Sequence, residues 1–261
     1  MDRRKFLGAS SVAAGVGLAG CGFFGKVLGK VPPPEVAQSK LDAGGWREDE
    51  TESGTVFTEE YAAGTVTATG HTIHYQDEGL RREIAEKTLG AVTGQLSVFF
   101  ATRIEFEPEL DSLPLGIGRG EVLQRTKRSA KEDFETEMEA DGLTDIEVLG
   151  ESTLEVDTGE EADLVRYGAR YPVDDFGFTV SDGESVSLSG SPVRVRGWLA
   201  VWYNDDVEST LVSGAVHAAG NYTETIDRQL SSALDMTLDI DLGLTPAAYR
   251  EEAFGLMRTV S

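Results

Sequence analysis

Residues 193–218 read VRVRGWLAVWYNDDVESTLVSGAVHA. From Val193 to Tyr203 the side chains sort with a period of two, the period of a strand. Val193, Val195, Leu199, Val201 and Tyr203 fall on one face, and Arg194, Arg196, Trp198 and Trp202 on the other. The turn-forming run Asn204-Asp205-Asp206 leads into a second apolar strand, Ser209–Ala218. Two strands in succession with only a turn between them belong to a β-meander rather than to a β-helix-β crossover.

Reading outward gives the same texture. Thr55–Tyr75 predicts two strands joined by a hairpin near Ala62-Ala63-Gly64, and Leu96–Phe106 a strongly apolar strand. Asp145–Val156 and Leu164–Val173 are strands about the turn Asp157–Glu161, and Val186–Leu188 and Met236–Leu244 are two more. Helical spacing covers Gly79–Val92, Glu121–Ala140, Thr223–Leu234 and Pro246–Met257, with a short helix at Glu35–Leu41 stopped by Gly44-Gly45. Asp111–Gly120 and Asp174–Gly183 read as loops, and Trp46 folds back on the body. Roughly seven to nine strands that do not alternate regularly with helices disfavour a doubly wound parallel sheet. The expected fold class is α+β, a large, mainly antiparallel sheet with helices packed against it. The helix–meander–helix order is similar, as architecture alone, to the fold of the PsbP and Mog1 proteins.

Charge sets the environment. The chain carries 23 Lys+Arg against 46 Asp+Glu, a net of −23, and only seven of the basic residues are lysines. Such acidity argues against nucleic-acid binding, which needs a basic face. At 1 M salt the Debye length shrinks to about 3 Å, so a carboxylate-rich surface no longer repels itself. Forty per cent hydrophobic residues supply a core, which makes disorder the wrong reading of the acids.

The amino terminus carries the address. Residues 1–20 combine a charged start containing Arg3-Arg4, then Phe6-Leu7, a weakly apolar stretch and small residues, the layout of an export signal. The stretch is shorter and more polar than the roughly 20 apolar residues of a membrane span. Leu18-Ala19-Gly20-Cys21 resembles a lipobox, and Arg3-Arg4 resembles a twin-arginine signal. Cys21 is the only cysteine, so it has no partner for an internal disulfide. With the acidic body, these features resemble the lipid-anchored, twin-arginine-exported proteins of haloarchaea, a group without known activity. The resemblance implies a protein on the outer face of the cytoplasmic membrane, held by lipid on Cys21. The expected organisation is a signal peptide at 1–20, a lipidated, Pro-rich tether at 21–34 and one domain over 35–261. Loss of residues 1–20 leaves 20 basic and 45 acidic residues, a net of −25.

Catalytic signatures are not found. There is no Gly-x-Ser-x-Gly elbow, and His217 has no evident partner. His71 and His74 lie three apart on a strand, which sends them to opposite faces rather than to one metal. Asp239 and Asp241 alternate with apolar residues as on a half-buried strand, and Gly116–Gly120 lacks the lysine of a phosphate loop. No cofactor or metal is expected. Asn221-Tyr222-Thr223 is an acceptor sequence for N-glycosylation. The remaining candidate is the polar face of 193–203. Arg166 and Arg170 share a phase on the preceding strand, and with Arg194, Arg196, Trp198 and Trp202 they form a binding face for an anionic or aromatic ligand. The competing expectation, and the favoured one, is that a helix covers this face and its acids pair with the arginines. The function that follows is non-enzymatic binding of a ligand or partner at the envelope. The alternative is an envelope hydrolase working through carboxylates, which a deep pocket with converging acids favours.

Overall fold

The computed structural model describes residues 31–87, 96–173, 176–179, 185–188, 191–231 and 234–261. In chain order its elements are α1 (Gln38–Gly44), β1 (Trp46–Tyr61), β2 (Gly64–Asp77), α2 (Glu78–Lys87), β3 (Ser97–Glu107), α3 (Arg119–Ala140), β4 (Thr144–Glu155), β5 (Glu161–Tyr171), β6 (Phe176–Thr179), β7 (Ser185–Leu188), β8 (Val193–Asn204), β9 (Ser209–Ala218), β10 (Thr223–Ser231), β11 (Leu234–Asp241) and α4 (Pro246–Met257). Seven strands form one sheet in the order β1-β2-β3-β9-β8-β5-β4, and β6-β7 and β10-β11 are separate two-stranded pairs. Every pairing in the large sheet is antiparallel. The class is therefore α+β, as the meander pattern dictates.

The hairpin at 193–218 lies at the centre of this sheet, and its composition explains why. β9 is buried at every residue, which a strand tolerates only where both faces are covered. α3 covers one face. Its buried residues Val122, Thr126, Ala130, Phe134 and Met138 recur at helical spacing and meet Tyr167, Val195, Leu199 and Val216. α4 and α1 cover the other. Leu41, Leu256 and Met257 pack on Trp46, Phe99, Trp198, Trp202 and Leu211. Full burial of side chains such as Phe134 or Leu256 contributes on the order of 1.5–3 kcal/mol each. β4, at the edge, stays largely exposed.

The chain ends are tied together. Glu35 and Ser261 exchange backbone hydrogen bonds of 2.8 and 3.0 Å, and Val31 and Pro34 are buried. The last residues of the proline-rich segment thus lie on the body. Trp46 does fold back: it is 2% exposed and its Nε1 donates to Glu252 Oε1 at 2.7 Å.

Three expectations fail. Thr223–Leu234, predicted as a helix, instead holds strand β10 and the start of β11, paired in a register that sets Ile226 opposite Leu238. The alternating partner at 236–244 supplies cross-strand bonds that outweigh a weak local preference. Part of the predicted loop 174–183 pairs as β6 with β7. α3 also begins at Arg119, two residues into the expected glycine loop.

Candidate functional site

The arginine face is assembled by the register of β5 and β8. Arg166 stands opposite Trp198, Gly168 opposite Arg196, and Arg170 opposite Arg194. Cross-strand partners share a face, so the four arginines and two tryptophans lie on the side covered by α4. The coverage is uneven. Trp198 and Trp202 are buried beneath the helix, while Arg166, Arg170 and Arg194 are exposed and Arg196 is half-buried. α4 contributes a fifth arginine: the Arg250 guanidinium lies 5.4 Å from the Trp198 ring centre and 5.3 Å from that of Phe254.

The expectation that helix acids neutralise the arginines is overturned. Glu252 of α4 turns to Trp46 instead. Arg170 makes an exposed ion pair with Asp145 at 3.4 Å, and Arg166 donates to the Leu149 carbonyl at 3.3 Å. Among the residues whose side chains are described, no carboxylate forms an ion pair within 4 Å with Arg166, Arg194 or Arg196. Burial, and then the like charges of Arg166 and Arg194, push the Arg196 guanidinium below its usual range, against a smaller opposing pull from Glu147. Positive charge is thus concentrated on one patch of a strongly acidic molecule, where Asp145 pairs Arg170 and Glu147 of β4 attracts Arg196.

His217 closes the inner end of this face. Its Nε2 accepts from Trp198 Nε1 at 3.1 Å, and its Nδ1 donates to the Ala218 carbonyl at 2.9 Å. Both ring nitrogens are engaged, which sets a neutral tautomer. Burial, helped by the like charges of Arg196 and Arg250, leaves its pKa below the usual histidine range, against the opposing pull of the Ala218 carbonyl. The partners that periodicity did not supply are a tryptophan across the strand and a neighbouring carbonyl.

A cavity of about 340 Å³ opens on the opposite face, between α3 and strands β1, β2, β3 and β9. Its origin is a run of small residues in the floor. Gly54 faces Gly70 across β1 and β2, and Thr72 bonds Thr102 at 2.8 Å across β2 and β3. A Cβ on Gly214 would stand 2.2 Å from the Phe100 ring, so the glycine lets that ring lie flat on the sheet. Phe100 then meets His74 at 6.0 Å and Phe134 at 5.8 Å between ring centres. Val98, Ile104, Val212, Val216 and Met138 complete apolar walls. Asp49, Glu52, Asp133 and Glu137 stand among the lining residues with His74. Partial desolvation raises the Asp133 and Glu137 carboxyls above their ordinary range, Glu137 half-buried and Asp133 exposed at the rim; His74 pulls Glu137 the other way, as Arg125 does Asp133. His71, as its spacing requires, points to the other face, within 3.1 Å of Ser53 Oγ and 3.2 Å of the Val31 carbonyl.

Against this geometry the chain matches one family model, that of a domain of unknown function, over residues 33–261. The chain belongs to the DUF6517 family. No curated protein and no solved structure matches it. Within the DUF6517 domain Asn221 is exposed, but its Nδ2 donates to Asp241 at 2.7 Å and its Oδ1 accepts from the Leu244 amide at 2.8 Å. The glycine segment positions Arg119, which bonds Asp205 at 2.7 Å and lies 4.2 Å from the Tyr203 ring. Among the described residues no group of three His, Cys, Asp or Glu is placed to hold a metal ion. Arg3, Arg4 and Cys21 lie outside the described residues. The cavity escaped the sequence reading, although a signal existed. Gly70, Thr72 and His74 occupy core-facing positions of a strand whose earlier core positions are Val66 and Ala68.

Proposed function

We propose that this is an exported lipoprotein of the haloarchaeal envelope, lipidated at Cys21 after twin-arginine export through Arg3-Arg4, whose body binds an anionic ligand or partner without catalysing a reaction. The observation that carries the binding role is the arginine face, where Arg166, Arg194 and Arg196 share one side of the sheet with no ion-pair partner within 4 Å among the residues whose side chains are described. Guanidinium forks suit carboxylate, sulfate or phosphate oxygens, and Arg250 of α4 brings a further positive charge beside this face. Asn221 remains the candidate for glycosylation.

Two measurements test the reading. Dextran sulfate should bind the wild type, and Arg166→Ala/Arg194→Ala should weaken that binding by about tenfold, the effect of losing roughly 1.4 kcal/mol. Both side chains are exposed, so the melt should shift by no more than about 0.5 kcal/mol. Unchanged binding would remove the arginine face. Cys21→Ser should release the protein to the medium or leave it unprocessed, because the attached lipid supplies membrane affinity. A processed, membrane-bound mutant would sink the anchor. A second reading, an envelope hydrolase, draws on the raised carboxyls of Asp133 and Glu137 in the cavity. Turnover of an ester or glycoside that vanishes in Glu137→Gln would replace binding with catalysis.

A further inference from the structure

We infer that the cavity beneath α3 is a second binding site, independent of the arginine face, and that it takes a small amphiphilic cation: an apolar body of about the size of a substituted aromatic ring carrying an ammonium group. The volume of about 340 Å³ admits such a molecule, and sites of this kind run from roughly 300 Å³ upwards. The walls decide the body. Val98, Ile104, Val212 and Val216 from the sheet and Met138 from the helix are apolar, and the Thr72 and Thr102 hydroxyls in the floor are bonded to each other. The paired rings of Phe100 and Phe134 offer π-faces.

The charged groups decide the head. Asp49 and Glu52 reach the cavity from β1, and Asp133 and Glu137 from α3. Among the described residues lining it there is neither lysine nor arginine, and His74 is the one basic side chain. Asp49 already accepts from Gln76 Nε2 at 3.0 Å, which leaves Glu52, Asp133 and Glu137 of the lining to meet a ligand's charge. Carboxylates crowded at an apolar opening hold their charge at a cost, as the upward shift of Asp133 and Glu137 by burial records. A cation seated there relieves that cost and gains cation–π contact with the aromatic rings. An anion would meet up to four like charges, and a neutral molecule would gain nothing from them. The opposite preference, for an anion, belongs to the arginine face, so the two sites are separated by charge as well as by the sheet between them.

The test uses three probes of one shape, phenylbutylamine, phenylbutanol and phenylbutyrate, titrated calorimetrically into the full-length protein in molar potassium chloride. The amine should bind at least about tenfold more tightly than the alcohol or the acid. Asp133→Asn/Glu137→Gln should bring amine and alcohol within about twofold of each other while leaving the alcohol's affinity in place. Filling the space with Val56→Trp, or from the helix with Ala130→Leu, should abolish binding of all three. A circular dichroism melt establishes which filled variant is folded. Equal affinity for the three probes, no binding of the amine, or amine binding that survives in a folded filled variant would each overturn the proposal. Dextran sulfate binding in the same variants should be unchanged, so a failure at the cavity is distinguishable from a failure at the arginine face.

Discussion

His217 shows what a single buried residue contributes. Its neutral ring joins Trp198 of β8 to the Ala218 carbonyl, and it is 3% exposed. Protonation would place a second N–H against the indole N–H, two donors facing each other, so the charged form is disfavoured in the folded state. The folded pKa lies below the unfolded value of about 6.5. The unfolded chain then binds the extra proton first, and this residue's contribution is complete above about pH 6.5 and declines as pH falls below it. Asp133 and Glu137, whose folded values are raised, act in the opposite sense, because protonating them relieves a cost. A difference measurement is therefore required. The stability gap between wild type and His217→Gln, from urea midpoints, should shrink steadily as pH falls below about 6.5. A constant gap would show that the imidazole does not titrate between the two states. The sequence revealed that His217 sits in an apolar strand; it did not reveal Trp198 as a partner, because the pairing of β8 with β9 sets that distance.

At the scale of elements, the packing of the central strands onto α3 makes the cavity. Gly214 is the pivot: an added methyl would overlap the Phe100 ring, which leans towards His74 and Phe134. Gly214→Ala should push that ring up into the cavity, costing about 1–3 kcal/mol as overpacked cores do. It should also weaken phenylbutylamine binding. A variant as stable as wild type with undiminished binding would show that the ring has room to move sideways. Most strands of the large sheet and helices α2, α3 and α4 were legible because periods of two and 3.6 were each carried by long runs; residues 46–54, the polar first half of β1, lack an apolar alternation and were not. β10 was not. Ile226 and Leu230 satisfy both a helical and an alternating template over so short a stretch, and only pairing with β11 decides between them. The arginine face was legible as a phase within β8; whether its charges were paired depended on where α4 set its own acids.

For the whole molecule, charge is the dominant variable. A net of −23 on 261 residues makes self-repulsion a standing cost of compactness, and salt screens it. Urea midpoints should therefore rise from roughly 0.1 M to 3 M potassium chloride, and the rise should exceed that of a neutral α+β domain of similar size. No rise would mean that the acids lie too far apart to repel. What the sequence determined alone is whatever depends on composition and local period. It holds the acidic surface, the class of the fold, most strand and helix spans, and the expectation of an exported anchor. Tertiary structure decided what depends on the distance between residues far apart in the chain. It buried the tryptophans but left Arg166, Arg170 and Arg194 in water, tied Glu35 to Ser261, and gave His217 its indole partner. It also opened a cavity where small side chains of β1, β2 and β3 fall beneath one helix. The physical reason is that periodicity reports which way a side chain points, whereas a site depends on what stands opposite it, and strand order and helix placement are fixed only when the whole sheet closes on its two layers.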